Sequence, residues 1–164
     1  MERGLFKKHK RVKVAFDTNP SPGDMVWVDQ TTGISYSYDN TRSKWLSTSK
    51  DRFEFARKGA ANGMYIPLLG DLDDQEDVYM TGYEATIISV FCRSKDGNED
   101  KTFEIRKNGT NIFHFHYDSS LSYIDNNLNI DIAPLDEINL YVSSTGKKVR
   151  DTVCRIEIAR RHDI

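Results

Sequence analysis

Apolar and polar residues alternate along most of the second half of the chain. Ile138, Leu140 and Val142 share one parity, and so do Thr152, Cys154, Ile156 and Ile158. A period of two places each set on one face of a strand. Ile88, Val90 and Cys92 read as another apolar strand face. The pattern predicts strands over residues 52–57, 64–67, 84–92, 101–107, 110–117, 127–132, 137–143 and 152–159. Turn residues punctuate them: Gly59, Asn62-Gly63, Asp96-Gly97-Asn98, Asn108-Gly109, Asp125-Asn126-Asn127 and Thr145-Gly146. Asn108-Gly109 is the sharpest signal, because both residues accept the positive φ of a type I′ hairpin turn. No internal repeat and no amphipathic helix longer than a turn or two is readable. Short strands at this spacing predict an all-β fold, an antiparallel jelly-roll sandwich over residues 51–164.

The pattern changes upstream. Residues 20–50 read as a small β-hairpin module. Met25-Val26-Trp27-Val28 is a strand, Asp29-Gln30-Thr31-Thr32-Gly33 its turn, and residues 34–38 the return strand. Asp39-Asn40-Thr41 is a second turn, Lys44-Trp45-Leu46 a third strand, and Ser47-Thr48-Ser49-Lys50 a polar link. Three short strands are marginal alone. Trp27, Tyr36, Tyr38 and Trp45 supply the apolar area for a core, and the module is expected to lean on the main domain or on a neighbouring chain. Residues 1–19 read as an extended N-terminal arm. Within it Val12-Lys13-Val14-Ala15-Phe16 can add to a sheet but has no evident partner nearby, and both Pro20 and Pro22 favour extended backbone before them.

Charge sharpens this division. The net charge is -2 over 164 residues, yet Arg3, Lys7, Lys8, His9, Lys10, Arg11 and Lys13 cluster in the arm. Asp71, Asp73, Asp74, Glu76 and Asp77 form an acidic run. Such asymmetry points to charge-complementary docking. The arm can pair with phosphates, but it is short, with Phe6 as its stacking group. It reads as a docking arm built from Arg3, Phe6, Lys7, Lys8, Lys10, Arg11 and Lys13, and not as a nucleic-acid binder. No apolar stretch follows Met1-Glu2-Arg3, and none approaches a membrane span, so a soluble chain made in a cytosol is expected.

Candidate chemistry is sparse. Ser, His and Asp occur without a nucleophile elbow or triad motif. Paired carboxylates occur in loops without apolar surroundings to shift their pKa. The chain is therefore expected not to be an enzyme and to need no cofactor. His114 and His116 share a strand face opposite Phe113, Phe115 and Tyr117, so a metal would need a third ligand from elsewhere. An outward-facing pair is the plainer expectation, with no metal site. A calcium loop starting at Asp71 fails, because Glu76 stands where Gly is needed and Gly82 where Glu is needed. Cys92 and Cys154 lie on apolar strand faces and are expected as buried thiols, near enough to be neighbours.

Two segments resemble proteins of tailed-bacteriophage virions. Pro20-Ser21-Pro22-Gly23-Asp24-Met25-Val26-Trp27-Val28-Asp29, with Gly33, Tyr36-Ser37-Tyr38-Asp39 and Lys44-Trp45-Leu46, is similar to a short module of phage fibre and virion proteins. Phe103-Glu104-Ile105-Arg106-Lys107-Asn108-Gly109-Thr110 looks like part of a phage virion jelly roll. So do Leu128-Asn129-Ile130-Asp131-Ile132 and Asp136-Glu137-Ile138-Asn139-Leu140-Tyr141-Val142, and these domains resemble C1q- and TNF-like jelly rolls in outline. The resemblance implies a homotrimer in the virion, assembled in the host cytoplasm. It implies capsid decoration, a head fibre, or an adaptor at the neck or tail, touching capsid, portal or tail proteins. It carries no catalytic residues, no membrane and no nucleic acid. The alternative it allows is a receptor- or glycan-binding tip of a tail fibre, with Trp27, Tyr36, Tyr38 and Trp45 as a sugar platform.

Overall fold

The computed structural model describes residues 14–15, 26–69, 78–97 and 100–162. The arm residues Arg3, Phe6, Lys7, Lys8, Lys10, Arg11 and Lys13 and the acidic run 71–77 lie outside the described residues. The described chain holds thirteen strands: β1 (Val14–Ala15), β2 (Val26–Val28), β3 (Ser35–Asp39), β4 (Lys44–Ala61), β5 (Met64–Ile66), β6 (Tyr79–Met80), β7 (Ala85–Arg93), β8 (Thr102–Lys107), β9 (Thr110–His116), β10 (Ser122–Asp125), β11 (Ile130–Ile132), β12 (Glu137–Val142) and β13 (Val149–His162).

They form two sheets. The large one runs β1-β2-β3-β4-β13-β7-β10, with β11 also on β7. The small one runs β5-β12-β8-β9, with β6 on β12. The alternation of sequence-distant strands β4-β13-β7-β10 against β5-β12-β8-β9 is the jelly-roll order, and the two sheets make an open sandwich. The core lies between them. Phe55, Val90, Cys92, Cys154, Ile156 and Ile158 from the large sheet meet Phe103, Ile105, Phe115, Ile138, Leu140 and Val142 from the small one. The alternation of β12 and β13 thus does what its period of two dictates.

The Asn108-Gly109 turn joins β8 to β9, with φ of 51° and 76°, as a type I′ turn requires. Other expectations need correction. Gly59 is not a turn. It sits inside β4 with φ 91° and donates its N–H to Asp151 Oδ1 at 2.7 Å. The register shifts there, so Lys58 and Gly59 face the single residue Asp151 across the ladder. The polar link 47–50 is also strand. β4 runs straight through it, with a second register shift beside Arg160, whose N–H is satisfied by Ser47 Oγ at 2.9 Å. Ile88 does not share a face with Val90 and Cys92. A bulge in β7 puts Ile87 and Val90 in the core and turns Ile88 outward onto Leu46 and Ala159. Within the segment 12–16, the described residues Val14 and Ala15 do have a partner: β1 pairs with β2 in parallel, Val14 with Val26 and Ala15 with Trp27. β6 and β10 are strands that the alternation did not predict.

Candidate assembly surfaces

The hairpin strands β2 and β3 continue the large sheet through β4. Trp27, Tyr36 and Trp45 are buried together, with Tyr38 half-buried against them. The ring of Trp27 lies 5.3 Å from Tyr36 and 4.5 Å from His162, at the end of β13. Tyr38 meets Trp45 edge-on at 5.5 Å. These rings are spent on one another, so their faces do not form an open stacking platform.

Arg42, in the β3–β4 turn, ties this unit to the sandwich. Its Nε donates to Leu128 O at 2.6 Å, and its Nη2 donates to Ile88 O at 3.0 Å and Asn126 O at 2.7 Å. Its Nη1 pairs with Asp39 Oδ2 at 2.6 Å. Burial pushes the Asp39 carboxyl up, but the Arg42 hydrogen bonds and charge outweigh it and hold the carboxyl below its ordinary value. A second tie centres on Asp131. Its Oδ1 accepts from Lys44 Nζ at 2.5 Å and Thr86 Oγ1 at 2.9 Å, and its Oδ2 pairs with Arg161 Nη1 at 2.8 Å. These donors together overcome burial and lower its pKa. Nothing in the alternation pattern singles out Arg42 or Asp131. Most of their partners lie far along the chain, Ile88, Asn126 and Leu128 for Arg42 and Lys44 and Thr86 for Asp131.

His114 and His116 stand exposed on the outward face of β9, ring centroids 6.2 Å apart. Among the described residues, no third His, Cys, Asp or Glu joins them in a group that could hold a metal. Cys92 and Cys154 are direct cross-strand partners on β7 and β13, both buried free thiols. Burial pushes the Cys154 thiol well up, and contact with Cys92 adds to it. Tyr117 OH approaches Cys92 Sγ at 3.3 Å and shares a hydrogen bond with Ser94 Oγ at 2.8 Å. This network is sealed in the core.

The outward faces remain. On the small sheet, Tyr65 and Tyr141 pack edge-on at 5.2 Å. The Arg106 guanidinium covers Tyr141 at 3.8 Å, donates to Tyr65 OH at 3.0 Å and is held by Glu104 at 2.7 Å. On the large sheet, Phe91, Ile124 and Val153 are exposed on adjacent strands β7, β10 and β13. A groove of about 270 Å³ lies among Phe91, Ile124, Arg155 and Glu157. It adjoins another of about 370 Å³, lined by Ser37, Leu46, Lys50 and Ile88, through the shared residues Ser89, Asn126 and Glu157.

No family model matches the chain, and no curated protein does. Among solved structures, it is similar to a chain from Bacillus endospore appendages, described as a novel family of disulfide-linked pili. The two are 11% identical, over 68% of this chain and 87% of that chain, with a TM-score of 0.36. A likeness at that level carries no functional argument.

Proposed function

We propose that this chain is a non-enzymatic structural protein of a tailed-phage virion. In this reading it is a homotrimer that decorates the capsid, forms a head fibre, or serves as an adaptor at the neck or tail. The N-terminal arm anchors it to capsid, portal or tail subunits by charge pairing and strand addition. Three arms on one trimer would convert weak single contacts into tight attachment. The observation that carries the reading is the junction between arm and body. β1 continues from the basic segment into parallel pairing with β2. Trp27 and Arg42 then fix the hairpin unit to β13 and the β11 approach. A docked arm would therefore hold the whole sandwich, not a loosely tethered domain.

The rival reading is a receptor- or glycan-binding tip, and its glycan-binding form draws less support. The aromatic residues it needs as a platform, Trp27, Tyr36 and Trp45, are buried at 3%, 5% and 2% exposure.

Deleting residues 1–13 tests the proposal while leaving β1 in place. The truncated protein is expected to fold with an unchanged circular-dichroism spectrum. In a sedimentation assay it should fail to bind phage particles that lack their own copy. Normal decoration by the truncated protein would overturn the docking role of the arm.

A further inference from the structure

Lys101 is the only charged residue of the described chain that is fully buried. It stands immediately before β8. Burying an ammonium is costly unless an anion faces it. Among the described residues no carboxylate pairs with Lys101. Its Nζ donates instead to two neutral oxygens, Asn62 Oδ1 and, at 2.7 Å, Thr145 O. Burial pulls the ammonium below its ordinary 10.5 and so favours the free amine.

Three segments build this enclosure. Asn62 follows Ala61 at the end of β4, and Thr145 lies in the loop between β12 and β13. Gly63 N–H donates to Ser143 O at 3.1 Å, and Ser143 N–H donates to Thr102 O at 3.0 Å, next to Lys101. Gly63 has φ 62°, and a Cβ there would stand 3.0 Å from the Ser144 Cβ. The backbone therefore holds the amine against the side-chain amide. Fixing two reacting groups in contact removes the entropy cost that a bimolecular step carries.

A second nucleophile competes for the same amide. In an Asn-Gly pair the glycine nitrogen can attack the preceding side chain. Here that N–H is committed to Ser143 O, and the close approach to Ser144 holds the turn. The lysine amine is the nucleophile left facing the amide.

We propose that Lys101 and Asn62 react with each other to form an isopeptide bond, a covalent tie between the large and the small sheet. The Nζ lone pair bonds to Asn62 Cγ, and the Cγ–Nδ2 bond breaks. Nδ2 leaves as ammonia with one proton from Nζ. That ammonia also takes up the proton that Lys101 sheds to become an amine. An ammonium and a primary amide thus become a secondary amide and free ammonium, with no oxidant, reductant or further reactant. The step moves a buried cation without a counter-ion into water, which gives it direction. Asn62 is half-buried and Thr145 exposed, so the ammonium has a short way out. The tie closes residues 62–101 into a ring that contains β5, β6 and β7. It forms wherever the chain folds, in a virion or outside one.

The test is the intact mass of the purified full chain, followed by tryptic peptide mapping. The wild type is expected to be lighter than its sequence by one ammonia, about 17 Da. Trypsin should leave Lys101 uncut and yield a branched peptide that joins residues 59–93 to residues 96–106. Lys101→Arg and Asn62→Ala should each show the full mass of their sequences. The wild-type result decides by itself, so misfolding of either variant leaves the test intact. A wild type at full mass would overturn the proposal. So would the loss of one ammonia with residues 59–93 and 96–106 in separate peptides, the mark of a succinimide at Asn62-Gly63. A gain of about 1 Da at Asn62 would mean that water took the amide instead, and would also overturn it.

Discussion

On the small sheet, Tyr65 and Tyr141 face outward, and their own chain closes over them. Arg106 lies across Tyr141, and Glu104 holds Arg106 in place. On the large sheet, Phe91, Ile124 and Val153 face outward, and no side chain of the described residues buries them. Both faces carry apolar surface on regular strands, so propensity does not separate them. The difference is whether the chain supplies a cover. A long cation that stacks on the rings and is pinned by a carboxylate finishes a surface for water. A face whose arginines and glutamates sit beside the apolar centre, not over it, leaves that centre open.

The comparison can be broken in several ways. The largest effect should come from the inward side of the large sheet. Phe55→Ala, at a residue with no exposure, is expected to cost roughly 3–5 kcal/mol in urea unfolding. Phe91→Ser, at a ring the chain only partly covers, should cost less, about 1–2 kcal/mol. A loss as large as that of Phe55→Ala would mean that Phe91 serves the fold as fully as the inward residues do. Next, Arg106→Ala strips the cover from the small sheet. It should cost about 1 kcal/mol, from the lost cation–π contact and its hydrogen bonds, and should increase binding of a fluorescent apolar dye. No change in dye binding would show that Arg106 does not shield the tyrosines.

The smallest effect should come from acid. Asp39 and Asp131 have carboxyls held below the ordinary 3.8. A depressed folded-state pKa gives a contribution that is present above the unfolded pKa and lost as pH falls through the folded one. Lowering the pH below 3.8 should therefore loosen the Arg42 and Lys44 ties first. Trp27 and Trp45 fluorescence should change before the far-ultraviolet signal of the sandwich does. Simultaneous loss of both signals would mean that the hairpin unit and the sandwich unfold as one body.

Much of the sandwich was legible in the alternation of β8, β9, β12 and β13 and in Asn108-Gly109, because these depend on local periodicity and turn geometry. The bulges were not legible. Gly59 reads as a turn until Asp151 is placed opposite it, and Ile88 shares parity with Val90 until a register shift turns it away. β10 is four residues with one exposed isoleucine at its centre, too short and too polar to stand out. Arg42 is one charge in a turn, and most of what it gathers, the carbonyls of Ile88, Asn126 and Leu128, lies far along the chain. For the outward face of β7, the near-continuous apolar run 87–92 is a visible signal. Its meaning required knowing which of those residues the core leaves uncovered.

β4 gives the molecule two poles. It begins at Lys44, opposite Asp39 of β3 and next to the Trp45–His162 pair, and it ends at Ala61 opposite Val149. Eighteen residues of strand reach at most about 60 Å. The Thr145-Gly146 turn belongs to the far pole, and β1, β2 and β3 join the sheet at the near one. A foreign peptide spliced in at Gly146 would therefore be held out like a flag on a mast, nearly a full strand length from the end where β2 and β3 join the sheet.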